Sequence, residues 1–299
     1  MRSSIEKGNG GKEVAKTGEN KFIFLFIVLA LLSGWIGLLV DLALPDQPDE
    51  QTLGMGIWLV LPFLSGIAIR LFRRDWKDFG IKPRLRENIR WYVLALLIFP
   101  AVTLLFILIA WALGLATVSS FSVSTLLPVM ASLFVGLFIK NIFEDFAWQG
   151  YLTPKLVKAK LPDLQIYLVV GLVWAFWHAP YYLFFLPDSF YTTPMDRVLD
   201  TFVFSPIVII IWAVMFVEMT RLTGSVWPAV LMHTIEDAVP NYLVFEEQLI
   251  QFIGAGDFLF NPVRGVLPLI AFLAFGLWLR KKRLERDDEL EKQTGLISS

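Results

Sequence analysis

Acid–base chemistry is concentrated in three short stretches of an otherwise apolar chain. They are Lys140-Asn141-Ile142-Phe143-Glu144-Asp145-Phe146-Ala147-Trp148-Gln149-Gly150, Trp174-Ala175-Phe176-Trp177-His178 and His233-Thr234-Ile235-Glu236-Asp237. His178 and His233 are the only histidines in the chain. Ionisable groups inside a membrane each cost roughly 2.5 kcal/mol or more and mark a pathway or a reactive site. A carboxylate pair and two imidazoles brought together support two chemistries. Glu144 can act as a general base on a water while His178 and His233 position that water or stabilise an oxyanion. Alternatively, His178, His233 and Glu144 can ligate a divalent ion, Zn2+ by ligand type, which makes its bound water more acidic. Residue types and spacing leave both open.

Side chains four apart share a helix face. His233 and Asp237 are so spaced, and Asn241 extends the stripe. Lys140 and Glu144 are also four apart, so an intrahelical ion pair is the plain reading of that glutamate. Adjacent Glu144 and Asp145 point about 100° apart, so one is expected to react and the other to hold structure. Glu218, beside Arg221, and Arg70 at a span end read as side chains snorkelling to the interface. The Trp and Phe residues around His178 read as packing.

The elements that must position these groups are membrane helices. The chain has 299 residues, 56% of them hydrophobic, beyond the roughly 45–50% of soluble domains. Apolar runs longer than about 18 residues recur along it. Eight spans can be read, at about 22–44, 53–72, 91–116, 124–148, 165–185, 198–219, 225–245 and 263–279. Basic residues fill the N-terminal tail, the 73–90 loop, the loop holding Lys155, Lys158 and Lys160, and the C-terminal tail, while the alternate loops hold almost none. By the positive-inside rule both termini lie in the cytoplasm. The expected organisation is a disordered tail (1–20), one eight-helix membrane domain (21–280) with a four-helix catalytic core at about 124–245, and a basic, then polar tail (281–299). Span four then ends in the cytoplasm with Glu144 and Asp145 roughly 10 Å from its end, His233 roughly 12 Å deep and His178 roughly 20 Å. The absence of cysteine excludes disulfides and thiolate metal sites. A net charge of −1 argues against a nucleic-acid partner, leaving membrane lipid and a peptide or membrane-protein substrate.

At these residues the chain resembles the CPBP intramembrane proteases, the group of the CAAX prenyl endopeptidases and bacterial Abi proteins. That family has eight spans and the motifs Glu-Glu-x-x-x-Arg, Phe-x-x-x-His and His-x-x-x-Asn/Asp. Here they correspond to Glu144-Asp145…Gln149, Trp174…His178 and His233…Asp237. The resemblance implies a multi-pass plasma-membrane endopeptidase of a prokaryote, acting at the cytoplasmic side, with a prenylated C-terminal peptide as one substrate class. It implies Glu144 as the water-activating base, His178 beside it, and His233 with Asp237 as the oxyanion-side pair. Asp145, Gln149, Trp174 and Asn241 support them. Asp145 stands where the family has Glu, Trp174 conservatively where it has Phe, and Gln149 where it has Arg. The last change removes a cation that Lys140 is placed to supply. A catalytically weak or inactive scaffold of immunity type, binding a partner through the same fold, is the other reading of these departures.

Overall fold

The computed structural model describes residues 7–48, 52–119, 123–191, 193–246, 249–293 and 295. The chain is built almost wholly of helices: α1 (Lys7–Ala43), α2 (Leu53–Arg73), α3 (Leu85–Ala112), α4 (Val123–Ala147), α5 (Thr153–Lys158), α6 (Asp163–Trp177), α7 (Pro194–Leu199), α8 (Ser205–Thr223), α9 (Trp227–Glu236), α10 (Gly256–Phe260) and α11 (Val266–Gln293). A two-stranded antiparallel ribbon, β1 (Ala116–Val118) with β2 (Ile250–Phe252), joins the ends of two loops. Among the described residues five segments are long and apolar enough to cross a membrane: Asn20–Ala43, Leu53–Arg73, Leu85–Ala112, Asp163–Phe185 and Pro194–Thr223. The other three stretches expected to span fall on α4, on α9 with its continuation, and on α11.

Local sequence explains the helix ends. Proline opens α5, α7, α8 and α9, where the missing N–H is not needed. Gly224 ends α8 in the left-handed conformation at φ 61°, which costs glycine little. Between helices, small residues permit close approach. Gly37 and Gly54 bring the backbones of α1 and α2 together, and a methyl group at either would strike the other's carbonyl oxygen. The α1–α2 turn is tied by Asp41, which accepts from Thr52 Oγ1 at 2.6 Å and Gly54 N at 2.8 Å. Gly171 of α6 lies likewise against Ile210 of α8. The run from Trp212 to Thr220 is buried throughout, which makes α8 the central helix of the core.

Two residues read as snorkelling are instead fully buried. Arg70 donates to Asp78 at 2.6 Å, to the Asp75 carbonyl and to the Gly150 carbonyl at 2.5 Å, tying α2 to the helix that carries Glu144. Glu218 accepts from Tyr167 Oη, Arg221 and Arg283. Burial without these partners would cost several kcal/mol per charge, so the networks replace the interface as solvent. Beside Arg70, the Asp75 carboxylate receives Lys155 at 2.8 Å and Lys158 at 2.7 Å. Those hydrogen bonds hold its carboxyl well below the usual carboxylate range.

Both expected tails are taken up by helix. α1 runs back to Lys7, because Lys, Glu and Ala extend a helix that the apolar run has already nucleated; residues 1–6 lie outside the described set. α11 continues to Gln293, with Arg283 on Glu218 and Asp163 and Arg286 donating to the Leu222 carbonyl.

Candidate active site

Three helices carry the three motifs, and each turns wide at or just past the end of its motif. After α4 the turn Trp148–Leu152 is π-helical, and α5 then prolongs the same helix to Lys158. Tyr181–Phe185 follows His178, and Asp237–Glu246 follows α9, both in the same wide form. Such turns are rare and cluster at functional sites. Because α4 does not stop at Trp148, Glu144 lies fourteen residues before Lys158, roughly 21 Å along the axis. The helix beyond it is therefore longer than the roughly 10 Å expected from one that ended at Trp148.

Glu144 is buried, with 1% of its side chain exposed. Trp174 Nε1 donates to its Oε1 at 2.6 Å. His178 Nε2 faces the same oxygen at 3.7 Å, and Lys140 Nζ lies 3.7 Å from Oε2. The bond from Trp174 is one that phenylalanine cannot make, so Trp174 is not a conservative stand-in. His178 ends α6, its Nδ1 3.0 Å from the Trp174 carbonyl oxygen. A carbonyl only accepts, so Nδ1 carries the proton and the Nε2 lone pair of a neutral ring faces Glu144. The ring is stacked on Tyr182 and edge-on to Trp177.

Glu144 and Asp145 diverge as their spacing requires, yet both meet a histidine. Asp145 Oδ2 lies 3.2 Å from His233 Nδ1, and the His233 ring sits edge-on to Trp174 and Phe216. The resemblance paired His233 with Asp237; here His233 bonds Asp145. Asp237 Oδ2 instead accepts from Lys140 at 3.0 Å and from Asn141 at 2.8 Å. Lys140 thus bridges Glu144 and Asp237, and supplies within the site the cation that Gln149 lacks. Asp237 thus faces α4 together with His233, as their one-face spacing predicts.

Two expected supporting residues sit apart. Asn241 donates to Glu236 Oε2 at 3.0 Å, reaching the cluster only through that carboxylate. Gln149 accepts from Thr153 Oγ1 at 3.0 Å and lines a separate cleft with Lys77, Arg84 and Arg283. Asn141 and Glu236 lie inside the quoted motifs but had been given no role. Their signal was spacing: Asn141 precedes Asp145 by four residues, and Glu236 follows His233 by three.

The three residues expected as metal ligands do not converge as a set. His233 Nδ1 bonds Asp145 and Glu144 Oε1 accepts from Trp174, which leaves His233 Nε2 and Glu144 Oε2 as their free ligand atoms. Among the described residues the group with ligand atoms all within 4.8 Å of one another is His233, Glu236 and Asp237. There, Asp237 Oδ2 already receives an ammonium and an amide. Lys140 holds the cationic position, and the residues fit a protein-supplied charge better than a three-ligand zinc site.

A search of curated proteins finds no match to this chain. A family description does match, as "Type II CAAX prenyl endopeptidase Rce1-like", over residues 125–239. That segment runs from the first turn of α4 to just past Asp237 and holds all three motifs. Over that segment, which is less than half of the chain, the protein is similar to the CPBP family of intramembrane proteases that includes the CAAX prenyl endopeptidases.

Proposed function

We propose that the protein is an intramembrane endopeptidase in which Glu144 activates water for attack on a peptide bond. The observation that carries this reading is the facing of two acceptors, Glu144 Oε1 and His178 Nε2, at 3.7 Å in a buried site. That distance is too long for a direct hydrogen bond. A water donating one proton to each bridges it, with its oxygen lone pair turned to the substrate. Glu144 takes a proton as the oxygen attacks the carbonyl carbon. The tetrahedral oxyanion forms opposite, where His233, oriented by Asp145, donates from Nε2. As the carbon–nitrogen bond breaks, Glu144 returns the proton to the leaving amine. Lys140 and Trp174 hold the Glu144 carboxylate through the cycle, and Asn141 with Lys140 holds Asp237. No step is routed through a metal.

The family's name supports a C-terminal peptide, prenylated in one class, as substrate. The distribution of basic residues supports eight spans with both termini in the cytoplasm. Cleavage would then fall in the cytoplasmic half of the membrane of a prokaryotic cell. The test compares membrane-protein termini by mass spectrometry in cells expressing the wild type or Glu144→Ala at equal level. New termini that vanish with Glu144→Ala and His178→Ala are expected. Identical termini in all three strains would sink the peptidase and leave the scaffold reading.

A further inference from the structure

A second polar feature lies on the cytoplasm-facing side, apart from the Glu144 cluster. It is a cleft of about 490 Å³ between the 74–84 loop, α5, and the ends of α8 and α11. Six basic side chains line it against two carboxylates, Asp78 and Asp287. Both carboxylates are already engaged: Asp78 with Arg70 and Lys155, Asp287 with Arg283 and Arg286. Arg221 and Arg283 are matched by Glu218 and Asp163, and Lys158 by Asp75.

Lys77 and Arg84 remain. Neither has a carboxylate within ion-pair distance among the described residues, and both are exposed on the cleft wall. Arg84 is held there by its own backbone. It sits at φ 50°, in the left-handed region, with its guanidinium against Gly224, where a Cβ would lie 3.3 Å from Nη1. In the same wall, Gln149 is buried and its Nε2 has no hydrogen-bond partner among the described residues. A buried amide donor without an acceptor costs about 1–3 kcal/mol. An arginine fork, an ammonium and an orphan amide N–H thus border one space with no acceptor assigned to them.

We propose that this cleft binds a phosphate group. Several donors bordering one space suit a tetrahedral phosphate anion, which has oxygens for each, better than a planar carboxylate. Two sources share that chemistry: the headgroup of an anionic phospholipid and free phosphate. The exposed apolar neighbours Trp76 and Leu85 flank the two free cations as a lipid-facing rim would, and basic pockets between membrane helices bind anionic headgroups. The site does not depend on peptidase activity, and binding is its readout, so its failure is separate from failure of the peptidase.

The experiment uses the purified full chain, the double variant Lys77→Gln/Arg84→Gln, and Arg84→Gln alone in case the double variant accumulates poorly. Both positions are exposed and leave no buried partner behind. One arm titrates inorganic phosphate, with acetate and chloride at matched ionic strength, and follows the unfolding midpoint. The other places the protein in nanodiscs of phosphatidylcholine with or without phosphatidylglycerol, and counts retained lipids by native mass spectrometry. Binding in either arm that weakens about tenfold in the variants supports the site, and the arm in which it occurs names the source. Equal protection by acetate and phosphate with no selective retention of phosphatidylglycerol overturns it, as does wild-type binding by the variants in both arms.

Discussion

Replacing Trp174 with phenylalanine converts the second motif to the family's usual residue, and it separates hydrogen bonding from packing. The indole donates to Glu144 Oε1 at 2.6 Å, while Glu144 Oε2 has no hydrogen-bond partner among the described residues and lies 3.7 Å from Lys140. A hydrogen bond to a charged group is worth about 1.5–3 kcal/mol. Once released, the carboxylate can swing toward Lys140 and recover part of that by closing the ion pair. A net loss of about 1.4 kcal/mol in transition-state stabilisation follows, or about tenfold in kcat. KM should hardly change, because the donor touches the base and not the substrate. The smaller ring also leaves unfilled space beside Phe216 and His233, lowering stability by about 1–2 kcal/mol. The assay is cleavage of a quenched fluorescent peptide by reconstituted protein, with the thermal midpoint measured in parallel. Wild-type kcat in Trp174→Phe, beside an inactive Glu144→Ala, would refute the orienting role and leave Trp174 as packing alone.

Two further outcomes test the charge arrangement. Lys140→Gln should cost about 2 kcal/mol of stability, since it leaves Glu144 and Asp237 without their shared cation. Adding Asp237→Asn should cost less than the two single changes predict, by about 1 kcal/mol in a double-mutant cycle; strict additivity would mean that the bridge carries no energy. In the loop after α2, Asp75→Asn should cost about 1 kcal/mol near neutral pH. Its folded-state pKa is depressed, so this contribution is present above the unfolded value of about 3.9. It fades as pH falls through the folded value. Midpoints of the two proteins should converge in strong acid, and a gap unchanged by acid would contradict the lysine pairing.

Glu144, His178 and His233 were legible because each is a polar residue in an apolar run, and one-face spacing correctly turned His233 and Asp237 toward the same neighbour. What spacing could not supply was the partner on another helix. His233 bonds Asp145, eighty-eight positions away, and nothing in a one-dimensional pattern favours Asp145 over Asp237 four residues on. Arg70 and Glu218 were misread for a related reason. A charge near a span end looks the same whether lipid headgroups or Asp78 and Arg283 receive it. Trp174 looked like packing because an indole's apolar bulk dominates its reading, while its single N–H decides its role here. The length of helix beyond Glu144 was underestimated because Trp148 to Leu152, although buried, carries a glutamine and a glycine that mimic the end of a span.

The three wide turns have a consequence for how this chain tolerates changes of length. Each π turn accommodates one residue more than an α turn would, so it works as an expansion joint beside a motif. Removing a single residue from Trp148–Leu152 should let the turn close into regular α geometry, with Glu144 and Asp145 on one side and Lys155 on the other kept near their present register. The Lys155–Asp75 ion pair should survive the deletion, with the histidines in place. A one-residue change of length at these joints is therefore taken up within the wide turn, and both flanks of the helix keep their register.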